Sequence, residues 1–444
     1  MRHPDHSYSL PTIGFLVLAG CARYHPHPLP AAPDLARTPQ ITVALKEFAV
    51  PGLPSHPIPA GGLDETTVMT LAVLNNPDLK AARLQAGVAG AELLQAGLLP
   101  DPQIGVSFGK SALNYGGALS LSEDIQAILT RGAAKAAARA SANQVNLNIL
   151  WQEVQVAERA RELFIQERTD SDLQQVLTSN QTLLRNNYDR DRAAMERGDV
   201  TAGTVAADLT LVADADTGVR QLQTEVDLAE HELNALLGIE SDVQLHLVGM
   251  TQTKPFSETE FDQAISALRH RRADLLALQA GYQNQEETLR RAILAQFPGL
   301  NAGVDFERDP VEGVNYFGPQ VTLTLPLFNR NRGQIAIARA TRELLRQQYQ
   351  AQLDSAVSQA DQVWKATQIM AAQLQDLDRQ LPVLQQAATA AEQSFRQNNL
   401  DAALYVNTRS ALLTKQREAI RLRESLAIAR SALSTLLGLP FSSP

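Results

Sequence analysis

The chain has 444 residues, of which 44% are hydrophobic, and carries a formal net charge of −9. This is enough apolar material for a sizeable core, and the charges of both signs are interspersed, so no basic stripe for nucleic acid is present. We therefore expect no nucleic-acid partner. Cys21 is the one cysteine, which excludes a disulfide within the chain.

The first 20 residues resemble an export signal. Arg2 precedes a short apolar run at 13–18, and small residues lead into Cys21. This end of the segment resembles a bacterial lipobox and predicts cleavage before Cys21 and acylation of its thiol. Because Ala22 follows in place of an acidic residue, the outer membrane is the favoured location. The alternative is a stray cysteine after a weak leader.

Residues 21–62 are rich in Pro and His with little periodicity, which predicts a lipid-anchored tether. His25 and His27 could touch a metal weakly, but solvated side chains are the simpler interpretation. The sequence has no phosphate-binding Gly-rich loop and no nucleophile elbow, and acylation would remove the thiol of Cys21. We expect no catalytic residue, no bound metal and no cofactor, and hence a protein that is not an enzyme.

The remainder of the chain is an internal duplication. Residues 134–240 align with 334–440 at a constant offset of 200, and both copies end in Leu-Leu-Gly. Upstream, Asn76–Leu79 pairs with Arg272–Leu275. A period this long indicates a duplicated half-domain and not a solenoid. The predicted organisation is a first repeat at 63–240, a connecting segment at 241–257, a second repeat at 258–440 and a tail at 441–444.

Each repeat begins with helix and then changes to strand. Residues 63–98 are predicted to be helical in two pieces, because a proline at Asn76-Pro77 disfavours helix in the residue before it. Their counterpart is 258–296. Alternation of apolar and polar residues then predicts a strand near 103–109 and another near 301–307. Turns are expected at 114–117 and around 312–313, so two hairpins supply four strands.

Long helices follow the hairpins. Residues 133–196 and 334–397 lack glycine, and each would extend roughly 95 Å as a helix before returning. In the first turn, Gly198 can adopt the left-handed conformation and Thr201 can cap the next helix. In the second turn, Asn398 and Asp401 take these two roles. The turns are either ordinary helix reversals or docking points.

Four strands with one apolar face cannot close a barrel, since a filled barrel takes about eight, and a membrane tolerates no open edge. Several chains would therefore have to contribute strands to one pore. The alternative is a small soluble pair of hairpins packed on the helices. The short polar residues on the second face of the strands favour a water-filled pore.

These features resemble the TolC-like outer-membrane efflux channels along almost the whole chain after the leader. The resemblance rests on Asn76–Leu79, the duplicated order of strands and helices, the two turns and the closing Leu-Leu-Gly. In addition, 325–333 resembles the strand-to-helix junction of the CzcC-type branch, which serves heavy-metal pumps of the resistance-nodulation-division class.

The resemblance implies a fold that is mainly α with a small β part, in which long antiparallel helical hairpins form an α-barrel. Four strands per chain would contribute to a trimeric, 12-stranded transmembrane β-barrel. It further implies a homotrimer in outer-membrane lipid with a periplasmic helical tunnel. The partners would be a periplasmic adaptor, or membrane fusion protein, and an inner-membrane resistance-nodulation-division pump.

Carried over by position, the family's adaptor-facing tips fall on six residues: Arg197, Gly198, Asp199, Asn398, Asn399 and Leu400. Members of the family also carry carboxylates that form a periplasmic constriction. Here Leu404 and Asn407 occupy the corresponding positions and Asp401 is the nearest acidic candidate, which argues against an acidic selectivity ring.

The function that the resemblance implies is passive export of solutes, heavy-metal cations first, from pump and adaptor to the outside. One alternative is the same channel serving drugs or other organic solutes. A second, from a different class, is a lipid-anchored periplasmic coiled-coil scaffold or adaptor without a pore.

Overall fold

The computed structural model describes residues 24–37, 62–110, 115–249, 251, 253–309, 311–397 and 399–441. The chain divides into two units, Met1–Leu35 and Ala36–Pro444. In the first unit, residues 24–35 are exposed and form neither helix nor strand. The predicted acylation site Cys21 lies outside the described residues.

The second unit repeats the order helix, helix, strand, strand, helix, helix. The α-helices of the described residues are α1 (Glu65–Asn75), α2 (Pro77–Gly97), α3 (Ile125–Glu196), α4 (Ala202–Leu236), α5 (Glu258–Ala267), α6 (Ala273–Leu294), α7 (Arg332–Arg396) and α8 (Ala402–Leu436). The strands are β1 (Gln103–Lys110), β2 (Tyr115–Asp124), β3 (Gly299–Arg308) and β4 (Asn315–Thr324). The predicted mainly helical, duplicated fold with a small sheet is confirmed. None of these helices combines the length and the apolar character that a membrane span requires.

The two longest helices of the second unit are α3 and α7. Helix α3 has 72 residues and α7 has 65, which corresponds to about 110 Å and about 100 Å. Helix α3 begins at Ile125, earlier than the predicted 133, because the side chain of Asp124 caps it. The Asp124 carboxylate accepts a hydrogen bond from the backbone N–H of Ala127 at 3.0 Å. Gly132, which directly precedes the predicted start, is accommodated inside the helix.

The break between α1 and α2 is a capping site, as the proline suggested. Asn76 accepts a hydrogen bond from the backbone N–H of Leu79 at 3.0 Å. Its amide also donates to the carbonyl of Leu236, at the end of α4, at 3.4 Å. In the second repeat the guanidinium of Arg272 donates to the carbonyl of Leu436 at the same distance. In both repeats, therefore, the end of the last helix, α4 or α8, is hydrogen-bonded to the residue between the two short helices.

The glycine that ends each Leu-Leu-Gly segment is required by its backbone conformation and by close packing. Gly238 and Gly438 have φ values of +64° and +65°, in the left-handed region that glycine adopts without a steric penalty. A Cβ atom at Gly238 would lie 2.8 Å from the carbonyl oxygen of Asn75, and one at Gly438 would lie 3.0 Å from the backbone nitrogen of Arg272. Each turn packs backbone against backbone at the break described above.

Each repeat has its own core, where the short helix crosses the long hairpin. In the first, α1, α3 and α4 bury Phe164, Leu233 and Leu237. In the second, Leu433 and Leu437 are buried against α5 and α7, and Phe261 stacks on Trp364 with ring centroids 4.9 Å apart. Phe164 and Trp364 are equivalent positions in the two repeats, so one packing scheme is used twice.

The four strands form one antiparallel sheet in the order β1-β2-β3-β4. Strand β2 pairs with β3, which joins the two repeats. The register places apolar residues in line across all four strands, and one such row is Val106, Leu119, Phe306 and Phe317. The adjacent row on the other face contains Ser107, Ala118, Glu307 and Tyr316.

The apolar face of the sheet is open to solvent in the single chain. Phe108 is 89% exposed and Phe317 is 75% exposed. A continuous exposed apolar surface is unusual for a protein that works alone in water. Strands β1 and β4 are the edges of the sheet, and each presents unpaired backbone groups to a neighbour.

One of the two predicted hairpin turns is misplaced. Residues 115–117 belong to β2 and not to a turn, because the alternating register extends to the end of the hairpin; Asn114 lies outside the described residues. The turn predicted at 312–313 is confirmed. There the carboxylate of Asp309 accepts a hydrogen bond from the backbone N–H of Glu312 at 3.0 Å, and Gly313 has a φ of +71°.

The junction between β4 and α7 is held by an asparagine. Arg330 and Asn331 are the described non-glycine residues with positive φ, at 45° and 52°. Asparagine tolerates this conformation better than most residues do. The Asn331 amide donates to the carbonyl of Ala292 at 2.8 Å, which ties the start of α7 to α6.

Candidate helix tips and interior ion cluster

The first hairpin ends in a left-handed glycine turn, as predicted. Gly198 has a φ of +84°. The N–H of Gly198 donates to the carbonyl of Met195 at 2.9 Å, and the N–H of Asp199 donates to that of Ala194 at 2.9 Å. This pair of bonds is a Schellman motif. Thr201 then caps α4 by accepting a hydrogen bond from the N–H of Thr204 at 3.2 Å, so the predicted cap is confirmed.

The second hairpin has an equivalent turn. The N–H of Asn399 donates to the carbonyl of Ser394 at 2.8 Å, and these positions correspond to Asp199 and Ala194. Asn398 lies outside the described residues. Asp401 stands at the N-cap position, but its side chain makes no capping hydrogen bond. The predicted position of the cap is therefore confirmed, but the expected side-chain hydrogen bond is not made.

The tip residues that the structure describes are accessible. Arg197, Gly198 and Asp199 are exposed, and Arg197 pairs with Asp199 at 3.0 Å. In the second turn Asn399 is exposed and Leu400 is half-buried. An exposed turn without a Cβ at its apex leaves backbone available to a partner.

Contacts just above the tips bring the two hairpins to the same end of the molecule. Phe395 stacks on Tyr405 with ring centroids 4.8 Å apart, and the guanidinium of Arg190 lies 5.4 Å from the Phe395 ring centroid. Arg190 belongs to α3 and Phe395 to α7, so this cation–π contact links the two hairpins. Leu184 and Val406 share a small buried cluster nearby.

The constriction candidates share one exposed side of α8. Asp401, Leu404 and Asn407 are all exposed, and Leu404 is 54% exposed. Residues spaced by three lie close together on a helix surface. The side that would form a constriction in an assembly therefore carries a leucine and an amide beside one carboxylate.

The sequence reasoning missed an ion cluster between the two hairpins. Arg421 of α8 bonds Asp170 of α3 at 3.0 Å and Glu225 of α4 at 2.6 Å. The same guanidinium bonds Glu424 at 2.9 Å. Asp170 is 1% exposed, and its second carboxylate oxygen is buried without a hydrogen-bond partner. One cation thus holds three carboxylates from three helices.

Burial changes the proton affinity of this region. It raises the pKa of Asp170 to about 6, against the opposing effect of Arg421. It also raises the pKa of Glu167, one turn earlier on α3, to about 7, with a further contribution from the charge of Glu230. The repeats themselves offered a signal for this cluster: the offset of 200 aligns Asp170 with Met370 and Arg421 with Gln221.

The raised pKa of Glu167 predicts a pH-dependent stability. Its ordinary value is 4.5, so the native state binds more protons than the unfolded state between about pH 4.5 and 7, and stability falls as pH rises through that window. Glu167→Gln removes this penalty. We expect the variant to be more stable than the parent by roughly 1–2 kcal/mol at pH 8, after discounting for solvent screening, and not at pH 4.5. Thermal unfolding of both proteins at the two pH values measures the difference, and an equal difference at both would contradict this assignment.

Among the residues that the structure describes, no group of three or more His, Cys, Asp or Glu side chains could hold a metal ion. The acidic residues of the Arg421 cluster face a guanidinium instead, which is a structural arrangement.

Comparisons with known proteins agree with this geometry. Residues 259–439 match the family described as outer membrane efflux protein. A curated relative, the pyoverdine export outer membrane protein OpmQ of Pseudomonas putida, is 27% identical over 257 residues. That alignment covers 55% of this chain and 54% of the relative, so it spans about half the length of each protein.

Solved structures of outer-membrane proteins share the fold over nearly their full length. CusC has a TM-score of 0.67 at 15% identity, covering 87% of this chain and 99% of that one. VceC of Vibrio cholerae has a TM-score of 0.70 at 18% identity, covering 85% and 97%. The channel OprN has a TM-score of 0.71 at 14% identity, covering 89% and 98%. The second repeat thus carries the sequence pattern of the outer membrane efflux protein family, and the chain as a whole has the fold of these TolC-like channels.

Proposed function

We propose that this protein is the outer-membrane channel of a tripartite efflux system. The observation that carries the proposal is the open four-stranded sheet, whose exposed apolar face continues across every strand. The sheet is joined directly to helices about 100 Å long, which end in exposed tips. A channel through membrane and periplasm needs an apolar surface for lipid at one end and helical hairpin turns at the other.

The sheet requires identical copies to be complete. Four strands have two free edges, which hydrocarbon does not tolerate, and about eight strands are needed to enclose an interior. Three copies would supply twelve strands, with β1 of one copy pairing with β4 of the next. The polar face of the sheet, which carries Asp305 and Glu307, would line the pore. Energy would come from an inner-membrane pump, because the channel carries out no reaction.

The proposed adaptor-docking tips are Arg197, Gly198 and Asp199 of the first hairpin and Asn398, Asn399 and Leu400 of the second. Two equivalent turns at the same end of the molecule support this assignment. Asp401, Leu404 and Asn407 are the proposed constriction residues, because they share one exposed side of α8. Acylation of Cys21 would hold the assembly in the outer membrane.

Replacing Gly198 tests the docking role of the tip. The left-handed conformation costs an L-residue about 1–2 kcal/mol, and a β-branched side chain fits it worst. In Gly198→Val, a strain of about 1.4 kcal/mol is expected to weaken adaptor binding roughly tenfold. Oligomers of the variant should still form. Gly198→Asn is the control, since asparagine tolerates this conformation. The measurement is the resistance of cells carrying each variant to the exported toxicant. Full resistance with Gly198→Val would contradict docking at this turn.

The cargo proposed first is heavy-metal cations, which the resemblance of 325–333 to the junction of heavy-metal channels supports. A second candidate is organic solutes, favoured by the Pseudomonas putida relative whose name specifies pyoverdine export. Deleting the gene and measuring growth against a panel of metal salts and organic toxicants separates the two. Sensitivity to metals alone supports the first, sensitivity to organic compounds alone supports the second, and unchanged growth on both panels would contradict efflux.

A further inference from the structure

Two basic side chains lie on the apolar face of the sheet, at the end of the strands that is farthest from the helices. Lys110 is the last residue of β1, and Arg308 is the last residue of β3. Because side chains alternate between the two faces along a strand, Lys110 shares a face with Phe108, and Arg308 shares it with Phe306. Both basic side chains are exposed. The apolar face therefore ends in a basic rim, formed by Lys110 and Arg308.

The charges of the sheet are segregated. The rows of this face nearer the helices are apolar, and one of them holds Ile104, Leu121, Val304 and Pro319. Within the four described strands, Glu123 is the remaining charged residue on this face, and it is half-buried at the opposite end, next to α3. The acidic residues of β3, Asp305 and Glu307, lie on the other face. Cations therefore stand at one end of the apolar face, and the acidic residues of β3 face away from them.

Acidic side chains in the adjoining turn do not neutralise the rim. The carboxylate of Asp309 accepts two backbone N–H groups within its own turn. The carboxylate of Glu312 accepts a hydrogen bond from the hydroxyl of Tyr316 at 3.2 Å, and Tyr316 belongs to the polar face. The salt bridges of the described residues involve neither member of the basic rim. The two cations are therefore available to an external anion.

Aromatic side chains stand at the same level as the basic rim. Tyr115 is paired with Lys110 in the sheet and is 73% exposed, and the Lys110 ammonium lies 5.1 Å from its ring centroid. Phe108 lies in the same row as Arg308, and Phe317 lies one row nearer the helices. In membrane barrels such aromatic girdles mark the boundary between hydrocarbon and headgroups. The basic rim is therefore placed at the level of lipid headgroups.

We infer that the basic rim binds the phosphate groups of a phosphorylated lipid in the outer leaflet, whose acyl chains lie on the apolar rows. Lys110 and Arg308 are two strands apart, so their backbones are separated by roughly 10 Å across the sheet and about 7 Å along it. Two long side chains can span this separation to one headgroup. Basic residues at a membrane surface attract anionic lipid, and arginine forms paired hydrogen bonds with phosphate oxygens. This inference rests on the proposed function, because it requires the hairpin turns to face the outside.

Binding of lipid A, a phosphorylated glycolipid, to the full-length protein in detergent tests the basic rim. The variant Lys110→Gln/Arg308→Gln removes both cations, and its apparent affinity for lipid A is expected to fall roughly 10- to 30-fold. Native mass spectrometry over a series of lipid concentrations measures the number of lipids bound per oligomer. The matched control is Lys365→Gln/Arg379→Gln, which removes the same charge from exposed positions of α7. These positions lie about 50 Å or more from the start of that helix, so the control should bind like the parent.

The parent protein alone provides a second measurement, which does not depend on the folding of any variant. Lipid A from which the phosphate groups have been removed should bind the parent about as weakly as intact lipid A binds the rim variant. Inorganic phosphate at the concentration of the lipid should not displace bound lipid A. Raising the salt concentration should weaken the binding of intact lipid A, because exposed charges are screened.

The outcomes separate the basic rim from the proposed channel. Weaker binding that is confined to the rim variant and depends on the phosphate groups supports the inference. Equal binding by the parent and the rim variant, an equal loss in the control, or tight binding of the dephosphorylated lipid overturns it. Displacement by inorganic phosphate overturns a lipid as the occupant. If the same preparations form trimers that conduct in a bilayer, each of these contrary results leaves the channel intact. A monomer that does not conduct would overturn both.

Discussion

Replacing Arg421 with alanine is expected to destabilise the protein by about 3–5 kcal/mol, which is typical of removing one partner from a buried ion pair. Arg421 is the cation that bonds the buried carboxylate of Asp170, and without it this group is left in a protein interior with no compensating charge. The loss should be larger at pH 8 than at pH 5, because the pKa of Asp170 is already raised to about 6 and the carboxyl can neutralise itself at the lower pH.

Arg423→Ala is the matched control for this prediction. Arg423 lies two residues away on α8 and pairs with Asp378, but both side chains are about half exposed. Exposed pairs contribute roughly 0–1 kcal/mol, so the control should unfold close to the parent protein. Thermal or denaturant unfolding in detergent gives both values. Similar small losses for the two variants would show that the Arg421 cluster does not hold the hairpins together.

Gly238→Ala is expected to cost roughly 2–5 kcal/mol, from about 1–2 kcal/mol for the left-handed conformation and about 1–3 kcal/mol for overpacking. The second contribution arises because the new Cβ would lie 2.8 Å from the carbonyl oxygen of Asn75. Backbone atoms there are held by the break between α1 and α2, so the clash cannot be relieved by a side-chain movement. Gly438→Ala should behave similarly, since that turn is built in the same way.

Gly218→Ala, on α4, is expected to change stability in the opposite direction. Gly218 is in the middle of the helix, and a Cβ there would meet nothing within 4 Å. Alanine is favoured over glycine in a helix by roughly 0.5–1 kcal/mol, so this variant should be slightly more stable than the parent. The same unfolding measurement covers all three glycines. A stabilised Gly238→Ala protein would refute the role assigned to the closing turn.

The repeated order of helices and strands could be predicted because it rests on local patterns. The change of period at Ile104 and again at Val304, and the proline after Asn76, are visible within a few residues. Gly198 and Thr201 were identified for the same reason, since a left-handed glycine and a capping hydroxyl act on adjacent backbone. The offset of 200 then supplied the duplication itself.

Two local helix caps were misjudged, and features that depend on distant residues were not predicted at all. The start of α3 was placed too late because the cap on Asp124 was overlooked, and Asp401 was assigned a capping bond that it does not make. The cluster around Arg421 joins residues about 250 positions apart in the chain. In the sequence alone, polar residues between periodic apolar positions of a helix indicate a solvent-exposed face, so the cluster was not predicted. Only the difference between the repeats, such as Asp170 against Met370, indicated that something buried lay there.

The most direct test of the central claim is the electrical conductance of the purified protein in a planar lipid bilayer. If copies of the open sheet join to enclose a pore, adding detergent-solubilised trimers should produce stepwise increases in current that persist under voltage. The proposed assembly also requires the particle mass in detergent to be that of three chains. A protein that stays monomeric and leaves the bilayer insulating would contradict the account.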